Sequence, residues 1–406
     1  MSTVVMKFGG TSVADADKIR AAARRAVETQ NLGHQVVMVV SAMGKTTDHL
    51  EGLASEITSS PPKREMDQLL ATGEQVSISL MAMALEEMGV PAISFTGRQL
   101  GIMTDAVHTK AKIQSIEAKR IQEELDAGKI VIAAGFQGIT PDGAVTTLGR
   151  GGSNVTLVAL AAALDADVCE NYTDVDGVYT ADPRIVPDAR KLDEISYDEM
   201  LELASLGAGV LHNRAVEFAK KYNVPIHVRS SLNNSEGTMI VAEAESMERI
   251  VVSGAALKED LARVPLRNVP DKPGRAAQIF HTIAKARIVV DDIIQTETEE
   301  GTATVSFTVG LNDLADAKRV IDALAQELSC GITYEEHLAK VSIVGVGMRI
   351  HTGVAERMFE ALAANGINIE NITTSEIKIS CLIEEKDGKR ALQLVHDAFE
   401  LGKEPE

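Results

Sequence analysis

Lys7, Gly9, Gly10, Thr11 and Ser12 follow directly on the apolar run Val4–Met6. A strand that ends in a lysine and two glycines can grip a phosphate. The glycines let backbone N–H groups approach an anion, the lysine adds a point charge, and Thr11 or Ser12 can cap the next helix. The segment lacks the Gly-Lys-Ser/Thr end of a P-loop, and no Gly-x-Gly-x-x-Gly fingerprint follows it. On its own the same pattern also serves as a plain structural turn.

Other polar clusters fall where strands should end. Val36–Val40 leads into Ser41, Ala42, Met43, Gly44, Lys45, Thr46 and Thr47, whose hydroxyls and amides suit a small polar substrate. Thr72-Gly73-Glu74 precedes a helix, where Glu74 either complements the helix dipole or serves a substrate. Phe136 lies in a Gly135–Gly138 turn after Ile130–Ala134. Gly149, Arg150, Gly151, Gly152 and Ser153 open the helix that runs from Thr156, and arginine at a helix entrance binds carboxylate or phosphate bidentately. The loop Tyr172–Arg184 carries Thr173, Asp174, Tyr179 and Arg184 and can clasp a nucleotide. It is no calcium loop, because Val178 and Tyr179 stand where oxygen ligands are needed.

The elements that hold these residues are legible as alternation. Apolar runs at Val36–Val40, Ile130–Ala134, Asp167–Cys169 and Pro225–Val228 alternate with helical stretches at Asp15–Gln30, Met66–Met88, Ile113–Leu125 and Thr156–Leu164. This predicts an α/β layer with a parallel-rich sheet covered on both faces as far as Ile240. With 406 residues, 45% hydrophobic and 24% charged, the chain has room for two or more domains. A net charge of −19 argues against nonspecific binding to nucleic acid or to an anionic membrane. No stretch approaches the roughly 18 apolar residues of a membrane span, and no signal core opens the chain, so a cytoplasmic location is expected. Cys169, Cys330 and Cys381 lack metal spacing and read as buried, reduced thiols. The absence of Trp and the 3% aromatic content disfavour a base-stacking platform.

Beyond a charged connection that ends near Leu257, the chain repeats itself. Aligning Gly274 with Gly353 also aligns Phe280 with Phe359, Ala284 with Ala363, Ile288 with Ile367 and Ile293 with Ile372. Each copy reads strand, helix, strand, strand, helix, the ferredoxin-like plan. Function would lie between the first strand and the helix, where amides at Asp271–Gly274 can hold a carboxylate.

Taken in order, these segments resemble aspartokinase, a family of the amino acid kinase superfamily, over essentially the whole chain. The resemblance rests on Lys7–Val13, Val39–Asp48, Thr72–Glu74, Gly135–Gly138, Leu148–Ser153, Tyr172–Arg184 and the doubled C-terminal unit. It implies a three-layer αβα sandwich of the carbamate kinase-like type in residues 1–245. A connection at 246–260, available as a strand to the second unit, would lead to two βαββαβ ACT domains at 261–335 and 336–406. It further implies ATP with Mg2+ over Lys7, Gly9 and Gly10 and under Thr173, Asp174, Tyr179 and Arg184. Aspartate would be held by Ser41, Thr47, Glu74, Phe136, Arg150 and Ser153, with Lys7 and Glu74 taking part in catalysis. The product would be aspartyl 4-phosphate, on the way to lysine, threonine and methionine.

The resemblance also implies a site for threonine or lysine. Asp271, Gly274, Ala276, Asp291 and Gln295 in the first repeat, and Asn368, Ile369, Ser375 and Glu376 in the second, match its contact pattern, within a homodimer formed through the ACT domains. Val289 replaces the usual Asn. Asn154 stands where the family usually has Asp, Gly209 where a lysine is common, and Asn213 where proline is usual. An internal start at Met247 would yield a separate regulatory subunit. Two alternatives stay open: another amino acid kinase such as glutamate 5-kinase, and a catalytically impaired regulator that binds ATP and amino acids.

Overall fold

A computed structural model describes residues 2–207, 210–244, 251–299, 301–349 and 351–404. Gly209 and Met247 lie outside the described residues. The chain divides into two compact units: Met1–Tyr179 with Lys191–Met247, and Thr180–Arg190 with Glu248–Glu406.

In the first unit the elements run β1 (Thr3–Phe8), α1 (Ala16–Asn31), β2 (Gln35–Val40), α2 (Thr46–Ile57), α3 (Lys63–Glu87), β3 (Ala92–Phe95), β4 (Ile102–Thr104), β5 (Ile113–Ile116), α4 (Lys119–Asp126), β6 (Ile130–Ala134), β7 (Gln137–Ile139) and β8 (Val145–Thr147). They continue with α5 (Gly152–Ala163), β9 (Val168–Thr173), β10 (Glu194–Ser196), α6 (Tyr197–Ser205), α7 (Asn213–Tyr222), β11 (Ile226–Ser230) and β12 (Thr238–Val241).

The main sheet has the order β10-β12-β11-β9-β1-β2-β6-β3. Its central pairs are parallel, and β12 is antiparallel to β11. Strands covered on both faces need no polar side, which is why β1, β2 and β6 are almost unbroken apolar runs. On one face Met6, Met38 and Ile132 pack with Ile19 and Ala23 of α1 and Ile78 and Met81 of α3. α5 packs on β1, β2 and β9 and is buried from Asn154 to Ala161. A helix apolar all round belongs in such an interior.

A smaller sheet, β5-β4-β7-β8, carries one correction. The helix expected over Ile113–Leu125 begins only at Lys119, because Ile113–Ile116 forms β5 and pairs with β4. Ile113 and Ile116 have helical spacing, but β-branched side chains suit the pleated pairing better.

The second unit contains β13 (Gly254–Pro270), α8 (Arg275–Lys285), β14 (Asp291–Glu299), β15 (Thr302–Gly310), α9 (Leu314–Leu328), β16 (Gly331–Ile332), β17 (Glu335–Val344), α10 (Val354–Ala363), β18 (Asn371–Thr374), β19 (Lys378–Glu384) and α11 (Gly388–Ala398). Its sheet runs β14-β15-β13-β17-β19-β18, with β16 on β13. The long β13 serves both repeats. Leu261–Pro270 pairs with β15, whereas Gly254–Lys258 pairs with Val344–Lys340 of β17. The second repeat therefore takes a strand from ahead of the first, which is inserted into it. Gly274 and Gly353, aligned in the sequence, occupy the same cap position of α8 and α10 with φ of 93° and 85°. Thr180–Arg190 is built into this unit. Ala181 and Val186 join the core of the second repeat, Gln393 Nε2 donates to Ile185 O at 2.7 Å, and Thr180 Oγ1 lies 3.0 Å from His396 Nε2.

Candidate active site

The end of β1 places Lys7 in the interior, 9% exposed. A Cβ on Gly9 would come within 3.3 Å of Lys7 Nζ, and one on Gly10 would lie 2.8 Å from Ala42 O. Glycine is needed at position 10, against the backbone of the Ser41–Gly44 loop, whereas a side chain at position 9 would only press on the flexible end of Lys7. Gly44 N donates to Gly10 O at 2.9 Å. Burial pulls Lys7 down to about 8, against the opposing charge of Asp174. Neither Thr11 nor Ser12 caps α1. Asp15 does, accepting from Lys18 N, while Ser12 Oγ donates to Ser231 Oγ at 2.8 Å.

Glu74 does not precede a helix. It lies well inside α3, so a role as a first-turn residue falls away. α3 meets the Ser41–Gly44 loop closely at Gly73, where a Cβ would stand 2.9 Å from Ala42 Cβ. Glu74 is 2% exposed; Oε1 accepts from Ala42 N at 3.2 Å, and Oε2 has no partner among the described residues. Burial pushes its carboxyl up to about 8, opposed by the backbone amides of Glu74 and Ala42 and by the nearby Gln137 side chain. A buried carboxylate oxygen without a donor is unstable as an anion until a cation reaches it.

The third wall is the entrance to α5. Gly151 has φ 71°, and a Cβ there would meet the His212 side chain at 2.3 Å. Phe136 itself has φ 69°; its N–H donates to Thr156 Oγ1 at 3.1 Å and its carbonyl accepts from Leu148 N at 2.8 Å. This turn sets Gly135 against Ser153 Oγ, where a Cβ would fall at 2.6 Å. No side chain caps α5; Gly152 N donates to Gly149 O at 2.9 Å and Asn154 N to Gly151 O at 3.0 Å, so the helix offers an anion its dipole more than a row of spare amides.

These walls enclose a cleft of about 930 Å³. It gathers Lys7, Gly9, Gly10, Ser41, Thr47, Glu74, Phe136, Arg150 and Ser153, together with the buried Asn154. Thr173, Asp174 and Tyr179 are not among its walls. Thr173 ends β9 beside β1 and shares a hydrogen bond with Asp174, and Tyr179 bridges to Lys191. Arg184 belongs to the other unit, and its guanidinium donates to Asp182 at 2.6 Å. Asn213 begins α7, a position that also suits proline, and its Oδ1 accepts from Arg214 N at 2.8 Å.

Sequence reasoning missed Thr109, Lys110, Lys112, Thr147, His212 and Arg214, which also line the cleft. The pair Lys110 and Lys112 in a polar loop was a usable signal. Arg214 was not, because its work is to donate to the carbonyls of Leu148 and Ala111.

In the second unit a cavity of about 420 Å³ gathers Asp271, Gly274, Ala276 and Gln295 of the predicted effector set. Asp291 lies apart from it, bonded to Lys340. Asn368 donates to Glu370, Ser375 N to Lys378 O, and Glu376 pairs with Arg349, while Ile369 packs on the second repeat's core. None of these four lines that cavity.

Residues 2–230 match the amino acid kinase family, and residues 266–328 and 341–399 each match an ACT domain. An aspartokinase of Bacillus sp. (strain MGA3) is 53% identical over 99% of this chain and 98% of its own length. The crystal structure of E. coli aspartokinase III in complex with aspartate and ADP (R-state) is 28% identical, with TM-score 0.83 over 97% of this chain and 99% of that one. The same enzyme in complex with lysine and aspartate (T-state) gives TM-score 0.75 over 98% of this chain and 99% of that one. On this fold, this cleft and these likenesses, the chain belongs to the aspartokinase family.

Proposed function

We propose that the cleft transfers the γ-phosphoryl group of ATP to the side-chain carboxylate of L-aspartate, giving 4-phospho-L-aspartate, the first step towards lysine, threonine and methionine. The observation that carries this reading is Glu74, a carboxylate buried in the cleft wall with one oxygen that has no hydrogen-bond partner among the described residues. An α-ammonium supplies the missing charge. Arg150, beside the positive end of α5, suits the α-carboxylate, and Ser41, Thr47, Phe136 and Ser153 complete the acceptor's surroundings. The reacting carboxylate is already ionised near neutral pH and needs no general base. What it needs is alignment against charge repulsion, and Lys7 with the Gly9–Gly10 backbone neutralises the transferred oxygens.

The bare cleft walls carry more cations than carboxylates, which suits a nucleotide that brings Mg2+ on its own phosphates. Asp174, whose charge already acts on Lys7, is the carboxylate suited to hold that ion with Thr173 beside it. Bound Mg2+ supplies charge neutralisation at the phosphates. Tyr179 and Arg184 are assigned to the nucleotide by family likeness.

Catalysis is assigned to residues 1–245 and sensing to 261–335 and 336–406, with 246–260 between them, although Thr180–Arg190 and Gly254–Lys258 pack with the sensing unit. Threonine or lysine is the proposed effector, at the cavity around Asp271, Gly274, Ala276 and Gln295. A homodimer through the ACT units is supported by the exposed Val289, Ile293 and Ile372 on or beside the outer strands β14 and β18. Free thiols at all three cysteines suit a cytoplasmic setting, and no described helix is long and apolar enough to cross a membrane. Relatives named aspartokinase do not favour a glutamate 5-kinase or an impaired regulator.

The test is trapping of aspartyl phosphate by hydroxylamine with ATP and Mg2+, using native protein beside Asn154→Asp and Lys7→Ala. Native turnover that is lost in Lys7→Ala supports the reading, and turnover confined to Asn154→Asp overturns it.

A further inference from the structure

Asp67 lies two turns before Glu74 on α3 and is fully buried, at 0% exposure. The chemistry proposed above gives it no task. Yet its carboxylate is densely bonded. Thr109 N donates to both oxygens at 3.0 and 3.1 Å, Thr147 Oγ1 donates to Oδ1 at 2.6 Å, and His108 Nδ1 stands 2.7 Å from Oδ2.

These partners come from two separate walls of the cleft. Thr109 leads into Lys110, and Thr147 ends β8 and leads through Leu148 and Gly149 to Arg150. The two walls also hold each other. Ala111 N donates to Thr147 O at 3.0 Å, and a Cβ on Gly149 would lie 3.0 Å from Thr109 O. Thr109 has φ 69°, a left-handed conformation that a β-branched residue adopts only when its surroundings demand it. Burying a carboxylate merely to fill space is costly, and a neutral side chain of the same volume would pack as well. A carboxylate with converging donors supplies stronger and more directional fixing.

We propose that Asp67 is a positioning residue for phosphoryl transfer. Through Thr109 and Thr147 it fixes the Lys110 loop against the entrance of α5, so that the wall receiving the acceptor's carboxylate keeps its place relative to Glu74. The inference rests on the reading that the amino acid lies along α3. Removing the carboxylate's charge loosens the acceptor's site and leaves the Gly9–Gly10 nucleotide grip in place.

The test uses the full chain with Asp67→Asn, Thr147→Val, Thr147→Ser and Glu74→Gln, measuring KM for aspartate and for ATP separately. In Asp67→Asn the KM for aspartate rises about tenfold while that for ATP changes by less than about twofold. Thr147→Val moves the same way by less, and Thr147→Ser, which keeps the hydroxyl, restores near-native values. Folded Asp67→Asn with native constants, or equal rises for both substrates, overturns the proposal. If Asp67→Asn does not fold, the Thr147 pair decides, and equal behaviour of Val and Ser overturns it. The Glu74→Gln arm separates the two ideas: an unchanged aspartate KM there defeats the placement of the amino acid, whatever Asp67 does.

Discussion

In the kinase unit Lys7 and Glu74 are buried with little to answer their charges, whereas in the ACT unit Lys340 is buried as deeply and is answered twice. Lys340 is 1% exposed; its Nζ lies 2.6 Å from Asp291 Oδ2 and 2.9 Å from Asp292 Oδ2. Asp292 also accepts from Thr308 at 3.2 Å and from Thr373 at 3.0 Å. Burial alone pulls Lys340 down, but the hydrogen bonds and charges of the two carboxylates outweigh it and hold it above the ordinary lysine value. Burial likewise opposes ionisation of Asp291, and the Lys340 ammonium overcomes it. The pair at the kinase cleft goes the other way: burial wins, and each group is drawn towards its neutral form. A buried charge that serves architecture brings its partners along, and one that serves a ligand leaves the partner to be delivered.

Lys7→Ala separates the two kinds most sharply. Turnover falls at least about 1000-fold, because transition-state charge loses its counter-ion, while the melting temperature does not drop. A marked loss of stability would mean that Lys7 is a structural cation after all. Lys340→Met does the reverse. It strands two carboxylates, one of them 6% exposed, and lowers stability by about 3 kcal/mol in urea unfolding. Adding Asp291→Asn and Asp292→Asn restores most of the loss. An undiminished midpoint in the single variant would break the contrast.

Glu74 gives an effect with a sign. Its carboxyl titrates at about 8 in the folded chain against 4.5 in the unfolded one, so the folded state keeps a proton that the unfolded state releases. The associated stability is fully present below 4.5 and is lost as pH rises to about 8. Melting temperatures across that window fall for the native protein and fall less for Glu74→Gln. Saturating aspartate flattens the native slope too, and an unaltered slope would show that no ammonium reaches Glu74.

Much of this was legible in the sequence because of how the sheet is covered. β1, β2 and β6 are buried on both faces, so their apolar runs stand out, and the polar residues that interrupt them mark the strand ends where the cleft forms. The repeat was legible because α8 and α10 both need a left-handed glycine at the cap. What stayed hidden depends on distant partners. Asp67 means little until folding brings His108 and Thr147 to it, across 41 and 80 positions. Arg214 reaches Ala111 across 103 positions. Ile113–Ile116 was ambiguous because a three-residue spacing suits a helix until a pairing strand appears. The loop Tyr172–Arg184 was read as a single nucleotide clasp, but from Thr180 onward it lends Ala181 and Val186 to another core.

The shared strand β13 has a consequence for the order in which the chain can be made. As it leaves the ribosome, Gly254–Lys258 emerges long before Val344–Lys340, the stretch it pairs with. The first ACT repeat can close once Gly331–Ile332 is added, while the strand segment before it waits with an open edge. Ala181 and Val186 wait longer still for the core around Leu392 and Val395. The nascent protein therefore carries unpaired strand and uncovered apolar surface until Leu392 and Val395 have emerged, and that interval is when it is most exposed to misassembly or to capture by a chaperone.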